Sequence, residues 1–394
     1  MNPEVDWDFA RNVAERIAGR EPFADSYHRD SMEADFIELT AQAEELVAAE
    51  TGLRSETSRA RGRVTDRMGW VDANLASFDR LLRPLLGKLN EKDEDGDADD
   101  GRSRFADSAI GKALGPLTEV MAPVGSAVGD AFGQVGSAVG PKMAGAEAGA
   151  LLGWMSSRVL GQYDLLIVED ERPEEQDLVY YVGPNILSLE KRYGFPPEEF
   201  RLWIAVHECT HRAQFTGVPW LRPYFLSLVN ELLDTVEPDP GRFLEVVRES
   251  MAERRAGNGR SLADGGLSAL LATPEQRVTM DKVTGLMSLL EGHGDITMDR
   301  AARDLIPSQP RFAKVMSQRR KNATGVTKVV QRLTGMEAKL AQYEEGENFV
   351  NAVEAFGGRE LFDQVWASPE SLPTIDEIRE PNRWIARMGA GAAA

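Results

Sequence analysis

The sequence predicts a mainly helical chain with a small β-sheet, an α+β fold. Three observations carry that expectation. Apolar residues recur at helical spacing through most of the chain, as in Phe36, Ile37, Leu39, Ala43, Leu46 and Val47, and again in Trp70, Val71, Leu75, Phe78, Leu81 and Leu82. Only two short runs read as strands, residues 165–168 (Leu-Leu-Ile-Val) and residues 178–182 (Leu-Val-Tyr-Tyr-Val). Between the second run and the C-terminal half lies His207-Glu208-Cys209-Thr210-His211, an H-E-x-x-H pattern inside an apolar helical stretch.

Composition narrows the function classes. A net charge of −19 and a pI near 4.8 argue against nucleic acid, whose phosphates would repel such a surface. The single Cys209 rules out an internal disulfide, points to a reducing compartment and reads as a small core residue. Residues 1–6 are charged where a signal peptide needs an apolar run, and no stretch approaches the roughly 18 apolar residues of a membrane span. A cytoplasmic protein without membrane insertion is expected. Oligomeric state is not legible.

Taken in order, residues 1–90 form an N-terminal helical region in which Asp30 or Ser31 can cap a helix ending near Gly52. His28 falls in the polar connection before it and is expected to face solvent. Residues 91–106 read as an acidic loop. A calcium loop starting at Asp95 fails there, because Asp100 stands where glycine is needed and Ala106 where the closing glutamate is needed. Residues 107–394 hold glycine-rich helices and then a catalytic region, packed with the N-terminal helices as one unit. Gly145, Gly149 and Gly153 are four apart, which suits close backbone packing between helices. The 178–182 strand, ended by Gly183-Pro184-Asn185, could offer a free edge to an extended peptide or could simply cover the core.

Pro196-Pro197-Glu198-Glu199 supplies prolines and carboxylates for the start of the helix that carries H-E-x-x-H. His207 and His211 at i and i+4 project from one face and can hold one zinc ion, with Glu208 beside the metal as general base. An ordinary surface helix could carry a Glu208–Arg212 pair next to stray histidines. The run Phe200, Leu202, Trp203, Ile204, Ala205, Val206 is too apolar for such a helix, and buried ionisable groups need a partner. A second functional-looking stretch, Glu291-Gly292-His293-Gly294-Asp295, ends a helix opened by Thr273-Pro274-Glu275-Gln276. Further buried helix is expected through Val329, Leu333, Met336, Leu340 and Tyr343, and a loose tail from Gly389 to Ala394.

Gly161-Gln162-Tyr163-Asp164, Gly183-Pro184-Asn185, the H-E-x-x-H segment, residues 291–295 and residues 336–346 together resemble a prokaryotic zincin-like zinc metallopeptidase family. Its members are often labelled as associated with deazaflavin coenzyme biosynthesis. The resemblance covers most of the chain and implies a mainly helical zincin fold of the gluzincin type, with a glutamate as third zinc ligand, carried over to Glu291. On a regular helix Glu291 and Asp295 share a face, so the aspartate could accept the free N–H of a metal histidine while His293 looks elsewhere. If Gly292 and Gly294 distort the helix, a three-histidine site through His293 competes.

The expected activity is zinc-dependent hydrolysis of an amide bond, most plainly a peptide, by one zinc per chain. His207, His211 and Glu291 are the ligands, and Glu208 takes a proton from the attacking water. Tyr343 and His293 are the candidate donors to the oxyanion. The rivals are a zinc-stabilised structural or interaction protein, which would close its site with four protein ligands, and a zinc amidohydrolase of a small molecule.

Overall fold

The computed structural model describes residues 5–23, 26, 28–55, 58–94, 139–163, 178–234, 274–321 and 336–391. In these, helices dominate and three short strands form one sheet. The chain runs α1 (Trp7–Ala18), α2 (His28–Thr51), β1 (Arg61–Thr65), α3 (Arg67–Glu94), α4 (Val139–Ser156), β2 (Gly161–Tyr163), β3 (Leu178–Val182), α5 (Gly183–Tyr193) and α6 (Pro197–Gly217). It continues with α7 (Leu221–Asp234), α8 (Pro274–Ala301), α9 (Gln309–Lys321) and α10 (Met336–Phe362), two short 3₁₀ turns, α11 (Ile375–Arg379) and α12 (Pro381–Gly391). No helix among the described residues is long and apolar enough to cross a membrane.

The sheet order is β1-β3-β2, with β1 parallel and β2 antiparallel to β3. The expected strand at 178–182 is therefore central and paired on both sides, which removes the free edge considered for it. Each of its five residues is buried, which is why its pattern is continuous rather than alternating. β1 and β2 escape a pattern reading because Arg61–Thr65 is half polar and Gly161–Tyr163 is three residues long. The strand-like run at 165–168 lies outside the described residues, as do residues 107–138 of the glycine-rich stretch.

β3 passes directly into α5. Asn185 makes this tight junction possible: its amide donates to the carbonyls of Ser156 and Val159, each at 2.7 Å, and its Oδ1 accepts from Arg67 Nε at 2.9 Å. One buried side chain thus ties α5 to the end of α4 and the start of α3. Helix boundaries differ from expectation at several places. His28 is the first residue of α2 rather than part of a connection, α3 continues to Glu94 into the acidic stretch, and α12 extends to Gly391 into the expected loose tail.

Among the described residues three apolar cores organise the packing. The largest joins Phe36 and Val47 of α2, Tyr181 of β3 and the apolar run of α6 to Leu286 and Leu290 of α8 and Phe312 of α9. A second packs Leu289 and Ile296 of α8 against Phe349 and Val353 of α10 and Trp384 of α12. The third sets Ala10 and Ala14 of α1 against Trp70 of α3 and Leu152 of α4. There Gly145, Gly149 and Gly153 bring α4 onto the backbone of α1; a Cβ on Gly149 would lie 2.8 Å from the Ala10 carbonyl carbon. α6 and α8 are both central to the largest core, and that shared burial places the two functional-looking segments side by side.

Candidate metal centre

α6 starts where its sequence says it should. Pro196 is an extended N-cap residue, Pro197 occupies the first turn, and Glu198 and Glu199 complement the helix dipole. Phe200 to Val206 are all buried, and Phe200 and Trp203 meet Phe312 edge-on at ring centroid distances of 5.2 and 5.9 Å. Arg201 forms a two-pronged ion pair with Glu190 of α5 (2.8 and 3.0 Å) and also binds Asp35 of α2. The helix is thus anchored upstream of the motif by both packing and a satisfied buried charge.

His207 and His211 follow on one face. Their rings are nearly perpendicular (86°) with centroids 4.6 Å apart, and their Nε2 atoms are 3.3 Å apart. Glu291, on the regular helix α8, brings Oε2 to 3.6 Å from His211 Nε2. The three ligand atoms lie within 4.8 Å of one another, and this is the one such His/Cys/Asp/Glu cluster among the described residues. Ligand atoms on a tetrahedron with zinc bonds of about 2.0–2.1 Å stand about 3.3–3.4 Å apart. Two imidazole nitrogens and a carboxylate at 3.3 and 3.6 Å therefore suit such an ion with little rearrangement.

Glu208 is buried beside this cluster. Its Oε2 accepts a hydrogen bond from the Tyr163 backbone N–H at 3.2 Å, so the third residue of β2 orients the carboxylate. Gly161 faces it from the same strand, and a Cβ there would stand 2.7 Å from Glu208 Cγ and 2.8 Å from Oε1. Burial pushes the Glu208 carboxyl up to about 7; Glu291 adds to the rise, and His211 and the Tyr163 N–H oppose it. Burial pulls His211 down, but Glu291 more than offsets this and leaves it at about 9. The alternative i,i+4 pairing of Glu208 with Arg212 is not what forms. Arg212 points the other way, to Glu44 Oε1 of α2 at 2.6 Å. Cys209 is core, as expected, with Sγ 3.6 Å from the Thr40 carbonyl and its thiol pushed up by burial.

The remaining candidates separate clearly. His293 is buried away from the cluster, stacked on Phe362 (centroids 5.4 Å, 24°) and edge-on to Trp366, with Nδ1 3.0 Å from Gln214 Nε2. Burial drops it to about 3, with Arg359 and His211 adding to the fall. The three-donor cluster takes Glu291 and not His293, because α8 stays regular through its glycines and His293 Nδ1 turns to Gln214. The support expected from Asp295 is provided on His211 by Gln214, whose Oε1 lies 3.0 Å from Nδ1. Spacing could have suggested Gln214, three residues beyond His211 on the same helix face. Gly161 and the Tyr163 N–H could not be found without the tertiary structure. The side chain of Tyr343 lies outside the described residues.

A mainly helical protein with a buried H-E-x-x-H helix and a glutamate from a second helix completing a three-donor cluster belongs to the class of metal-dependent hydrolases built on that motif. The match to the zincin-like metallopeptidase family spans residues 5–385, and the chain belongs to that family. Among solved structures it is similar to a candidate hydrolase with a novel fold from Chloroflexus aurantiacus. The two share 30% sequence identity over 98% of this chain and 99% of that one, with a TM-score of 0.64. Comparison with curated proteins returns no match.

Proposed function

We propose that this chain is a zinc-dependent hydrolase of amide bonds, a metallopeptidase of the gluzincin type, with His207, His211 and Glu291 holding one zinc and Glu208 acting as general base. The observation that carries the reading is the Glu208 carboxylate. It lies buried next to three converging ligand atoms, yet is hydrogen-bonded through one oxygen to a backbone N–H. Bound zinc supplies acidification of a water molecule and polarisation of the scissile carbonyl. Glu208 takes the proton from the attacking water and returns it to the leaving nitrogen, while the Tyr163 N–H and the space left by Gly161 fix its orientation.

Three protein donors among the described residues leave room for a fourth, non-protein ligand, which favours catalysis over a closed structural zinc. Tyr343 is the proposed oxyanion donor. It lies on α10 one turn before Gly346, where that helix touches α8 next to Glu291. Family membership supports a peptide substrate over a small-molecule amide.

The test combines metal analysis with a mixed peptide library. The chain should carry about one zinc, lost in His207→Ala and Glu291→Ala. Glu208→Gln should keep the metal while peptide cleavage falls by about 10²-fold or more. Full zinc content in His207→Ala, or unchanged cleavage in Glu208→Gln, would overturn the assignment.

A further inference from the structure

Gln214 is fully buried and makes three polar contacts, each to a different part of the centre. Its Oε1 lies 3.0 Å from His211 Nδ1, and its Nε2 lies 2.9 Å from the Leu290 carbonyl and 3.0 Å from His293 Nδ1. Donor and acceptor chemistry allows one proton arrangement here. A backbone carbonyl can only accept, so the NH₂ end of the amide must face Leu290. That same NH₂ can only donate, so His293 Nδ1 must present a lone pair, and the His293 ring is neutral with its proton on Nε2. What remains for His211 is Oε1, which can only accept, so His211 Nδ1 carries a proton. When that ring is neutral its lone pair is therefore on Nε2, the atom that faces His207 Nε2 and Glu291 Oε2.

We propose that Gln214 is the positioning residue of the centre: one side chain fixes the ligand tautomer of His211 on α6 and pins the backbone of α8 at Leu290, next to Glu291, with His293 as its built-in acceptor. This rests on the metal-site reading above and deepens it. The usual partner of a metal histidine is a carboxylate, a carbonyl or a water, which holds only the ring. The amide does more because it has a donor end to spend on the second helix. An isosteric carboxylate cannot replace it: ionised, the Gln214→Glu side chain has no proton for the Leu290 carbonyl, and protonated it can donate to only one of the two groups, the Leu290 carbonyl and His293 Nδ1, that the NH₂ serves. His293 completes the arrangement: its ring is held against Phe362 and Trp366 with Nδ1 turned to the Gln214 amide.

Two readouts test this, one of them independent of metal. In ¹⁵N-labelled zinc-free protein, long-range ¹H–¹⁵N spectra resolve the chain's four histidines. His293 should appear as the neutral Nε2–H tautomer, and His211 should show a slowly exchanging Nδ1–H. The second readout is zinc affinity by chelator competition, in Gln214→Leu and Gln214→Glu. Both should bind zinc about 10- to 100-fold more weakly while keeping the native circular dichroism spectrum. An Nδ1–H tautomer at His293, or wild-type zinc affinity in Gln214→Glu, would overturn the proposal. If Gln214→Leu fails to fold, the spectra of the unmodified chain and the Gln214→Glu affinity still decide it. If the unmodified chain binds no zinc, the metal reading fails, while the tautomers report separately on the hydrogen-bond chain.

Discussion

Gly292 of α8 meets Gly346 of α10 backbone to backbone: a Cβ added to Gly292 would lie 2.6 Å from Gly346 Cα and 2.5 Å from the amide nitrogen of Glu347. The contact is reciprocal, since a Cβ on Gly346 would stand 3.1 Å from Gly292 Cα and 3.0 Å from the Ser288 carbonyl carbon. Two helices can approach this closely only where neither carries a side chain. Glu291 is the residue before this crossing, so the position of its carboxylate depends on how tightly the helices close. Gly292→Ala should therefore cost about 1–3 kcal/mol, as overpacking does. It should also weaken zinc binding, because α8 cannot move away from α10 without moving Glu291. Urea unfolding and chelator competition on the same variant check both halves. Wild-type zinc affinity with reduced stability would show that Glu291 is placed independently of the crossing.

Gly161→Ala is expected to act on a different step. The added methyl meets Glu208 Cγ and Oε1 rather than backbone, so the carboxylate can swing aside and the fold should survive. The three proposed metal donors, His207, His211 and Glu291, are untouched, so zinc should stay. Peptide cleavage should fall by about 10-fold or more, because a general base displaced by an ångström loses its alignment with the water. Zinc loss in this variant would mean that β2 supports the ligands themselves and not only Glu208.

The parts of this site that could be read from the sequence are those fixed by helix geometry. Two histidines four apart face one way wherever the helix sits, and the proline and glutamate start of α6 and the apolar run before the motif say where it begins and that it is buried. Choosing Glu291 needed the family resemblance, because residues 291, 293 and 295 offered three donors and helix periodicity alone left two alternatives open. What decided His293 was tertiary: the aromatic slot made by Phe362 and Trp366, some seventy residues further on, takes the ring out of reach of the cluster. The sheet was the least legible element. β2 has three residues, and its role is carried by a backbone N–H and a missing side chain, neither of which leaves a pattern in composition. The glycines at 145, 149 and 153 were readable as a packing face but not as facing α1, since a small-residue stripe does not name its partner.

That stripe gives a prediction that separates stability from chemistry. Gly149→Ala would place a methyl 2.8 Å from the Ala10 carbonyl carbon, against backbone that cannot yield without shifting α1. A loss of about 1–3 kcal/mol is expected. The contact lies in the α1–α3–α4 core, away from α6 and α8, so zinc affinity and cleavage by the folded fraction should be unchanged. A change in zinc affinity here would mean that the two cores are coupled through β3.

The last prediction concerns acid stability and the C-terminal helices. Thr374 and Glu377 form a reciprocal capping box at the start of α11, and Arg387 of α12 reaches both Glu377 oxygens at 2.7 and 3.0 Å. Burial alone would raise the Glu377 carboxyl, but Arg387 and the Thr374 N–H outweigh it and hold it below its ordinary value of 4.5. A carboxyl depressed in the fold contributes stability that is fully present above 4.5, where it is ionised in both states. As pH falls below that value the unfolded chain takes up the proton first, and the contribution is gone once pH has passed through the lowered value in the fold. Arg387→Met should therefore be less stable than the parent at neutral pH, with a gap that narrows as pH drops below 4.5. Thr374→Ala should cost about 1 kcal/mol at neutral pH through the lost cap. Urea unfolding at a series of pH values measures the gap. A difference between Arg387→Met and the parent that stays constant as pH falls well below 4.5 would show that Arg387 stabilises α12 through its bonds to the Glu370 and Leu372 carbonyls and not through Glu377.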